Sequence, residues 1–394
     1  MSDQMPKFIF WISLALLFYS FVGYGLLLAM VLWFRRPRAP IPDFVQLPRL
    51  DVIVCAFNEA STIESKLANT FSLDYPHALL HLVVVTDGSH DGTDLVAGAF
   101  VPPAGMRYTH LHQSERQGKA AAIQRAMDAS SNPIVVSTDA NTHLNHEALR
   151  LLAGAFADPA VGAVAGEKRI VVSGSDDAAA AGEGLYWRYE SALKRMDAEL
   201  WSVVGAAGEL LAFRRETFEA VPSDTIIEDF FLTMRIAQKG WRVAYQPQAF
   251  ALETASASVS EELKRKIRIA AGGWQAMSRL LPLLNIFHFG VLSFQYISHR
   301  VLRWTLAPLA LPLLYGSNLW LAWKHGDGWL FFFVLQTVFY LAALAGWMLE
   351  KKQIKCKALF IPYYFCTMHY AALAGFFRWV RNKQSVLWER AERR

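Results

Sequence analysis

Three things are scarce in this chain, and each scarcity excludes something. Cysteine occurs only at Cys55, Cys356 and Cys366. Their spacing matches neither a zinc site nor a disulfide framework, and it fits a reducing compartment. Charge is thin, with 19% Asp, Glu, Lys and Arg against 54% hydrophobic residues. The fingerprint GxGxxG is missing: Gly88 and Gly92 lack that spacing, which disfavours a dinucleotide-binding oxidoreductase. Residues 8–34 hold no charge at all across 27 positions, enough to cross a hydrocarbon core of about 30 Å at about 1.5 Å per residue. That run is too long for a signal peptide and lacks a small-residue cleavage site.

What is present divides the 394 residues into apolar ends and a middle with the composition of a soluble protein. Arg35, Arg36 and Arg38 follow the first run, whereas only Asp3 and Lys7 precede it. The excess of positive charge on cytoplasmic flanks predicts an N-terminus outside and an insert in the cytoplasm. The same flanking positives account for the net charge of +5 without a nucleic-acid partner. Pro40, Pro42 and Pro48 mark a stiff linker over residues 39–49. Further apolar runs lie at 304–323, 329–349 and 358–377, with a tight turn at 324–328. Lys351, Lys352, Lys355 and Lys357 precede the last run, and Arg378, Arg381 and Lys383 follow it. Both flanks then belong to the cytoplasm, so 358–377 is expected to dip in and return, helped by Pro362. The domain reading is a transmembrane helix at 1–38, the linker, a cytoplasmic catalytic domain at 50–259, amphipathic interface helices at 260–298, and a transmembrane region at 299–394. The chain is expected to be a multi-pass protein of the inner (plasma) membrane, contacting its lipids, with an accessory subunit or a homo-oligomer left open.

Within the insert, apolar strands at 51–55, 82–85, 107–111, 134–136 and 161–165 alternate with helical stretches such as 120–129. That alternation predicts an α/β fold: a mostly parallel sheet with helices on both faces. Ligands in such sheets gather outside the carboxyl ends of the strands. The polar residues fall there, as Asn58 and Glu59, then Asp87, then Asp139 and Asn141. Two oxygen-bearing side chains at i and i+2 suit a hard divalent cation, although taken alone Asp and Asn more often simply make a turn. Gly118-Lys119 opens a helix, either as a phosphate contact or as a surface lysine. Gly205-Ala206-Ala207-Gly208-Glu209 leaves room for a ligand near the backbone. Glu228-Asp229 precedes a bulky apolar helix, where the two acids complement a helix dipole or serve as general-base machinery. A helix capped at Ser260 carries Lys264, Arg265, Lys266 and Arg268, then Gly272-Gly273-Trp274, and residues 280–294 read as a helix lying at the interface.

Taken in order, these motifs resemble glycosyltransferase family 2, in particular its membrane branch of hyaluronan, chitin, cellulose and poly-N-acetylglucosamine synthases. The resemblance runs from Asp51 to about Ser278 and implies a GT-A-like fold. It implies a UDP-sugar donor held by Asn58, Glu59, Asp87, Gly88, Ser89, Gly118, Lys119, Asp139, Arg265 and Arg268. Asp87 is the expected contact to the uracil and ribose side, and Arg268 to the pyrophosphate. Asp139-Ala140-Asn141 looks like the metal-binding DxD, for Mg²⁺ or Mn²⁺, with a neutral Asn141 in its second acidic place. Glu228 and Asp229 are the expected catalytic pair, Asp229 as general base. Gly205, Gly208, Glu209 and Trp274 are the expected acceptor side. The QxxRW motif of processive synthases falls at 265–269 and reads Arg-Lys-Ile-Arg-Ile, so Ile269 replaces its tryptophan and Trp274 is the candidate substitute.

The implied reaction is inverting: an acceptor hydroxyl, deprotonated by a carboxylate, attacks the anomeric centre and gives a β-linkage. Three readings are carried forward. One is a synthase extending a cell-surface polysaccharide, and the second transfers a single sugar to a membrane lipid. The third is a non-catalytic scaffold or transport subunit, disfavoured by the retained Asp87, Asp139 and Asp229.

Overall fold

The structure is a computed structural model and describes residues 4–35, 46–171, 178–254, 259–352, 354 and 356–387. Arg36, Arg38, Lys355 and most of the expected linker lie outside the described residues. The insert forms an eight-stranded sheet: β1 (Leu50–Ala56), β2 (Leu80–Asp87), β3 (Arg107–Gln113), β4 (Ile134–Asp139), β5 (His143–Leu144), β6 (Val161–Val171), β7 (Leu210–Arg214) and β8 (Arg242–Thr254). Their spatial order is β3-β2-β1-β4-β7-β6-β8-β5. Four neighbouring pairs are parallel, β3–β2, β2–β1, β1–β4 and β6–β8. The other three, β4–β7, β7–β6 and β8–β5, are antiparallel. The sheet is buried on both faces because β1 alternates between two cores. Leu50, Val52, Val54 and Ala56 pack with the helices Ile63–Phe71 and Ala148–Ala155, and Ile53 and Cys55 with Lys119–Ala129 and Glu228–Gln238.

Topology gathers the polar loops at one edge. Since β1, β2 and β4 are parallel, the residues after Ala56, Asp87 and Asp139 emerge side by side. Strand β7 runs the other way, with Thr138 opposite Leu210, so the loop entering it from Gly205 reaches the same edge. This antiparallel insertion, absent from the five expected strands, completes the site.

Four long helices pack beside this domain: Gln4–Trp33, Leu306–His325, Asp327–Lys351 and Lys357–Val380. Two of them, Gln4–Trp33 and Asp327–Lys351, are long and apolar enough to cross a membrane. Their outward side chains are bare hydrocarbon and aromatics, including Trp11, Leu26, Phe331, Leu335 and Leu341, each more than half exposed. The first helix is tied to the domain by the Tyr24 hydroxyl, which donates to Asp197 Oδ1 at 2.5 Å. Residues 358–377 do not turn back: Lys357–Val380 is one continuous helix with Pro362 in its second turn. The broken element is instead 280–294, expected as one helix and built from a 3₁₀ turn and short helices at Ile286–Phe289 and Val291–Tyr296. Gly290, with φ of +52°, separates those two pieces. Leu281, Ile286 and fully exposed Phe287 project from it.

Candidate active site

Asp87, the last residue of β2, is fully buried and engaged by the chain itself. Its carboxylate accepts from the Gly118 amide at 2.7 Å, the Gln117 amide at 3.1 Å and Arg125 Nη2 at 2.6 Å. It thereby fixes the turn that presents Lys119. Gly88 follows at φ +67°, and a Cβ there would stand 2.7 Å from the Arg116 amide nitrogen, so the close approach requires glycine. Asn58, in the left-handed region at φ +53°, donates its amide to Ser89 Oγ at 3.1 Å and accepts from the His90 amide at 3.0 Å. Glu59 is buried, and its carboxylate accepts from Thr62 Oγ1 at 2.7 Å, a local contact in the turn that opens Ile63–Phe71. Beside these loops the Arg116 guanidinium stacks 3.5 Å over the Phe57 ring, a flat cationic surface that no motif announced.

Lys119 bridges two loops. Its Nζ lies 2.7 Å from Asp139 Oδ1 and 3.0 Å from Glu228 Oε1. Burial disfavours its charge, but Asp139, Glu228 and Asp229 outweigh that and hold its pKa well above the ordinary lysine value. Burial also raises the Asp139 carboxyl, and Lys119 draws it only partly back. Behind the Asp139 turn lies Lys66, fully buried, donating to Thr138 Oγ1 and the Thr142 carbonyl, each at 2.9 Å. Burial pushes its pKa down to about 7, against the pull of Asp139.

The Asp139 and Asn141 pair fits a divalent cation on one observation. Asn141 Oδ1 is buried and has no hydrogen-bond partner among the described residues, an uncommitted oxygen beside a carboxylate. Among those residues no group of three or more His, Cys, Asp or Glu gathers as a metal cage. The protein therefore offers two oxygens, and substrate phosphates and waters would complete the shell, as is usual for Mg²⁺.

Glu228 and Asp229 form the first turn of Glu228–Gln238, where carboxylates suit the positive end of the helix dipole. Asp229 Oδ1 accepts from the Phe230 amide at 2.7 Å. Burial, reinforced by neighbouring Glu228 and opposed by Lys119, raises the Asp229 carboxyl to about 7. That value suits a general base near neutrality. Gly208 is the fit that holds the group together: a Cβ there would stand 2.9 Å from Lys119 Nζ and 3.1 Å from Asp229 Oδ2. Gly205, at φ +83°, leaves the space that the Phe230 ring fills.

Glu209 pairs with buried Lys168 at 2.5 Å, and Lys168 also pairs with Glu253. On the helix Val259–Arg279, Arg265 is held by both oxygens of Glu262, at 2.9 and 3.0 Å. Arg268 donates to the Ile226 carbonyl at 2.9 Å, and its Nε is buried without a partner among the described residues. Burial lowers the Arg268 pKa, with Glu228 and Asp229 countering, so the guanidinium feels both carboxylates of the pair. Val386 and Leu387, beyond the last helix, lie 3.7 Å from the Cβ position of Gly118 and border this side of the site.

Trp274 is not brought to the site. It packs on Phe376 at 4.7 Å and stacks with Trp379 at 5.9 Å, both on the last helix. The aromatic beside Asp229 is Trp304, 5.2 Å from Phe230 and packed on Gly273. Trp304 and Ile269 line a cavity of about 430 Å³, together with Glu209 and Asp229 of the domain and Pro308, Ile361, Phe365 and Met368 of the long helices. Sequence spacing carries no sign of this cavity, because its wall comes from segments far apart in the chain.

A family model described as Glycosyltransferase like family 2 matches residues 48–272, more than half of the chain. An N-acetylglucosaminyltransferase of Rhizobium meliloti (strain 1021) is 28% identical over 252 residues, covering 61% of this chain and 59% of the relative. A poly-beta-1,6-N-acetyl-D-glucosamine synthase of Staphylococcus aureus (strain COL) is 24% identical over 250 residues, covering 61% and 58%. The chain thus spans about three-fifths of the length of these curated relatives. Among solved structures, the mannosyltransferase PcManGT from Pyrobaculum calidifontis, in complex with GDP-Man and Mn²⁺, superposes with a TM-score of 0.71 at 25% identity, covering 95% of this chain and 99% of that one.

Proposed function

From the premise that this chain belongs to glycosyltransferase family 2, we propose that it moves a sugar, with inversion, from a UDP-sugar to an acceptor presented from the membrane. The observation that carries this is the position of Asp229: it shares one edge with Lys119, Asp139 and Asn141, and it also opens onto the cavity that reaches the long helices. Asp229 takes the proton from the acceptor hydroxyl as that oxygen attacks the anomeric carbon. The bond from that carbon to the donor diphosphate breaks, and the diphosphate leaves with the electron pair. Lys119 and Arg268 lie where charge develops, and fixed cations in a water-poor site stabilise it without reorganisation. Asp139 and Asn141 would hold a divalent cation, whose part is to neutralise the leaving diphosphate.

The names of the curated relatives support N-acetylglucosamine as the sugar and a growing β-linked polysaccharide as the product. A second reading, one sugar onto a lipid, is favoured by the cavity and by Ile269 in the QxxRW slot. The two apolar helices support a membrane location, which we read as multi-pass in the inner membrane with the catalytic domain on the cytoplasmic side. The test is nucleotide release by the purified protein in nanodiscs, with UDP-GlcNAc, UDP-glucose and GDP-mannose and with Mg²⁺ or Mn²⁺, products sized on a gel. Metal-dependent release from one UDP-sugar with a sugar-bearing product is expected. No release from any donor returns the chain to the scaffold reading.

A further inference from the structure

A line of buried polar groups runs from the helix Gln4–Trp33 to the candidate site, and the transfer reaction itself uses none of them. The helix widens at Tyr19–Gly23, and the segment Ile297–Val301 widens in the same way, each into a π-helical turn. Such turns are rare and collect at functional sites. Here the two are joined, since the Tyr19 hydroxyl and Ser298 Oγ lie 2.8 Å apart. The Phe21 carbonyl accepts at 2.8 Å from Tyr189, on the helix Ala178–Leu200. Asp197 of that same helix is fully buried and collects donors from both sides. It accepts from the Tyr24 hydroxyl and from His299 Nδ1, each at 2.5 Å, and from Gln295 Nε2 at 3.1 Å.

The line continues into a loop of the site. His299 Nε2 lies 3.3 Å from Glu190 Oε1, and the same oxygen takes Arg300 Nη2 at 2.6 Å. Arg300 turns its Nε to the Val204 carbonyl at 3.0 Å, and Gln295 Oε1 accepts from the Ser202 amide at 3.4 Å. These two side chains hold residues 202–204, and Gly205 follows at φ +83°. The run it opens leads to Gly208, packed against Lys119 and Asp229. Next in that run, the Glu209 carbonyl accepts from Thr138 Oγ1 at 2.9 Å, beside Asp139. Tyr24, Glu190, Asp197, Gln295 and His299 are all buried. Compared with apolar packing, buried ion pairs add little stability. The helix already has an apolar seat, in which Leu28 and Leu193 are buried together. What a fully bonded polar network adds is a single fixed arrangement. We propose that His299 and Arg300 are positioning residues for transfer, through which the seat of the helix Gln4–Trp33 sets the Gly205–Glu209 loop and so the rate of turnover. This rests on Asp229 and Lys119 belonging to the transfer site, as argued above.

The test uses the full chain in nanodiscs, with whichever of UDP-GlcNAc, UDP-glucose and GDP-mannose the wild type turns over. Turnover is expressed per nucleotide site, counted by calorimetric titration with UDP or GDP. Arg300→Lys keeps a charge beside Glu190 but cannot also hold the Val204 carbonyl. It should lower kcat per site about tenfold with the donor KM unchanged. Tyr24→Phe leaves Asp197 its other two donors, His299 and Gln295. It should lower kcat per site about threefold. The double variant should fall no further than Arg300→Lys, because both changes break one line. A fall of about thirtyfold, the product of independent changes, overturns the coupling. His299→Asn keeps the donor that meets Asp197, loses the one facing Glu190, and should match Arg300→Lys. Fewer sites at wild-type kcat per site, or a raised KM with kcat unchanged, overturns the positioning role and leaves the network as structural support. Absence of release from every donor by wild type instead overturns the transferase reading, and the proposal with it, so the two failures are distinct.

Discussion

Asp229→Asn separates catalysis from structure more cleanly than any other single change. Asparagine keeps the side-chain oxygen that accepts from the Phe230 amide at 2.7 Å. It leaves Lys119 with Asp139 and Glu228, at 2.7 and 3.0 Å. It removes only the proton acceptor. A positioned base is worth about 10²–10⁴ in rate, or roughly 2.7–5.4 kcal/mol at about 1.36 kcal/mol per tenfold. Turnover should fall by that factor and UDP affinity should hold. The wild-type rate should climb as pH rises through about 7, where Asp229 ionises, and the variant should lack that climb. Stability supplies a second, independent readout. The folded carboxyl titrates at about 7 against an ordinary 3.8, so its contribution is fully present below 3.8 and is lost as pH rises through 7. Asparagine carries no such loss, so the variant's melting temperature relative to wild type should rise between about pH 4 and 7 and level off above that. The assay is steady-state nucleotide release across pH at constant ionic strength, alongside thermal melts. Turnover within tenfold of wild type, or a surviving rise near pH 7, would refute the assignment of Asp229 as base.

Gly208→Ala places a methyl 2.9 Å from Lys119 Nζ and 3.1 Å from Asp229 Oδ2, so both must shift. Misplacement on that scale costs about 10²-fold in turnover, read by steady-state kinetics with UDP affinity little changed. Lys119→Met strands the Asp139 and Glu228 carboxylates, which are 29% and 8% exposed. A loss of about 3 kcal/mol is expected in urea unfolding, at the low end for breaking a buried pair because Asp139 is partly solvated. Asn141→Asp adds a charged ligand and should lower the Mn²⁺ concentration for half-maximal activity by about an order of magnitude; Asn141→Ala should raise it, after chelator treatment that stops the wild type. Lys66, lowered from 10.5 to about 7, holds fewer protons folded than unfolded between those values, so it makes stability rise with pH over that window. Lys66→Met should flatten that rise in urea melts taken across the window.

The polar edge of the candidate site was legible because each of its parts is local. A buried β-branched run such as Ile134 to Val136 announces a strand, and the polar residue ending it must emerge at the strand's carboxyl edge. Asp87, Lys119, Asp139 and Asp229 could thus be placed one motif at a time. Strand β7 could not, since its seat between β4 and β6 depends on Ala212 facing both Val136 and Val164, partners far along the chain. Lys168 reads as an ordinary lysine in a strand until Glu209 and Glu253 arrive from two other segments. The expectation for Trp274 fails on helix geometry. Five residues beyond Ile269, at about 100° each, it points roughly 140° away, so one face meets the cavity and the other meets Phe376. The cavity is assembled the same way, from Trp187 and Lys194, the Gly205 loop, Arg265, Trp304 and the last helix, none adjacent in sequence. Chains can therefore share every motif of the polar edge and still differ in the wall of this cavity, whose residues only the fold brings together.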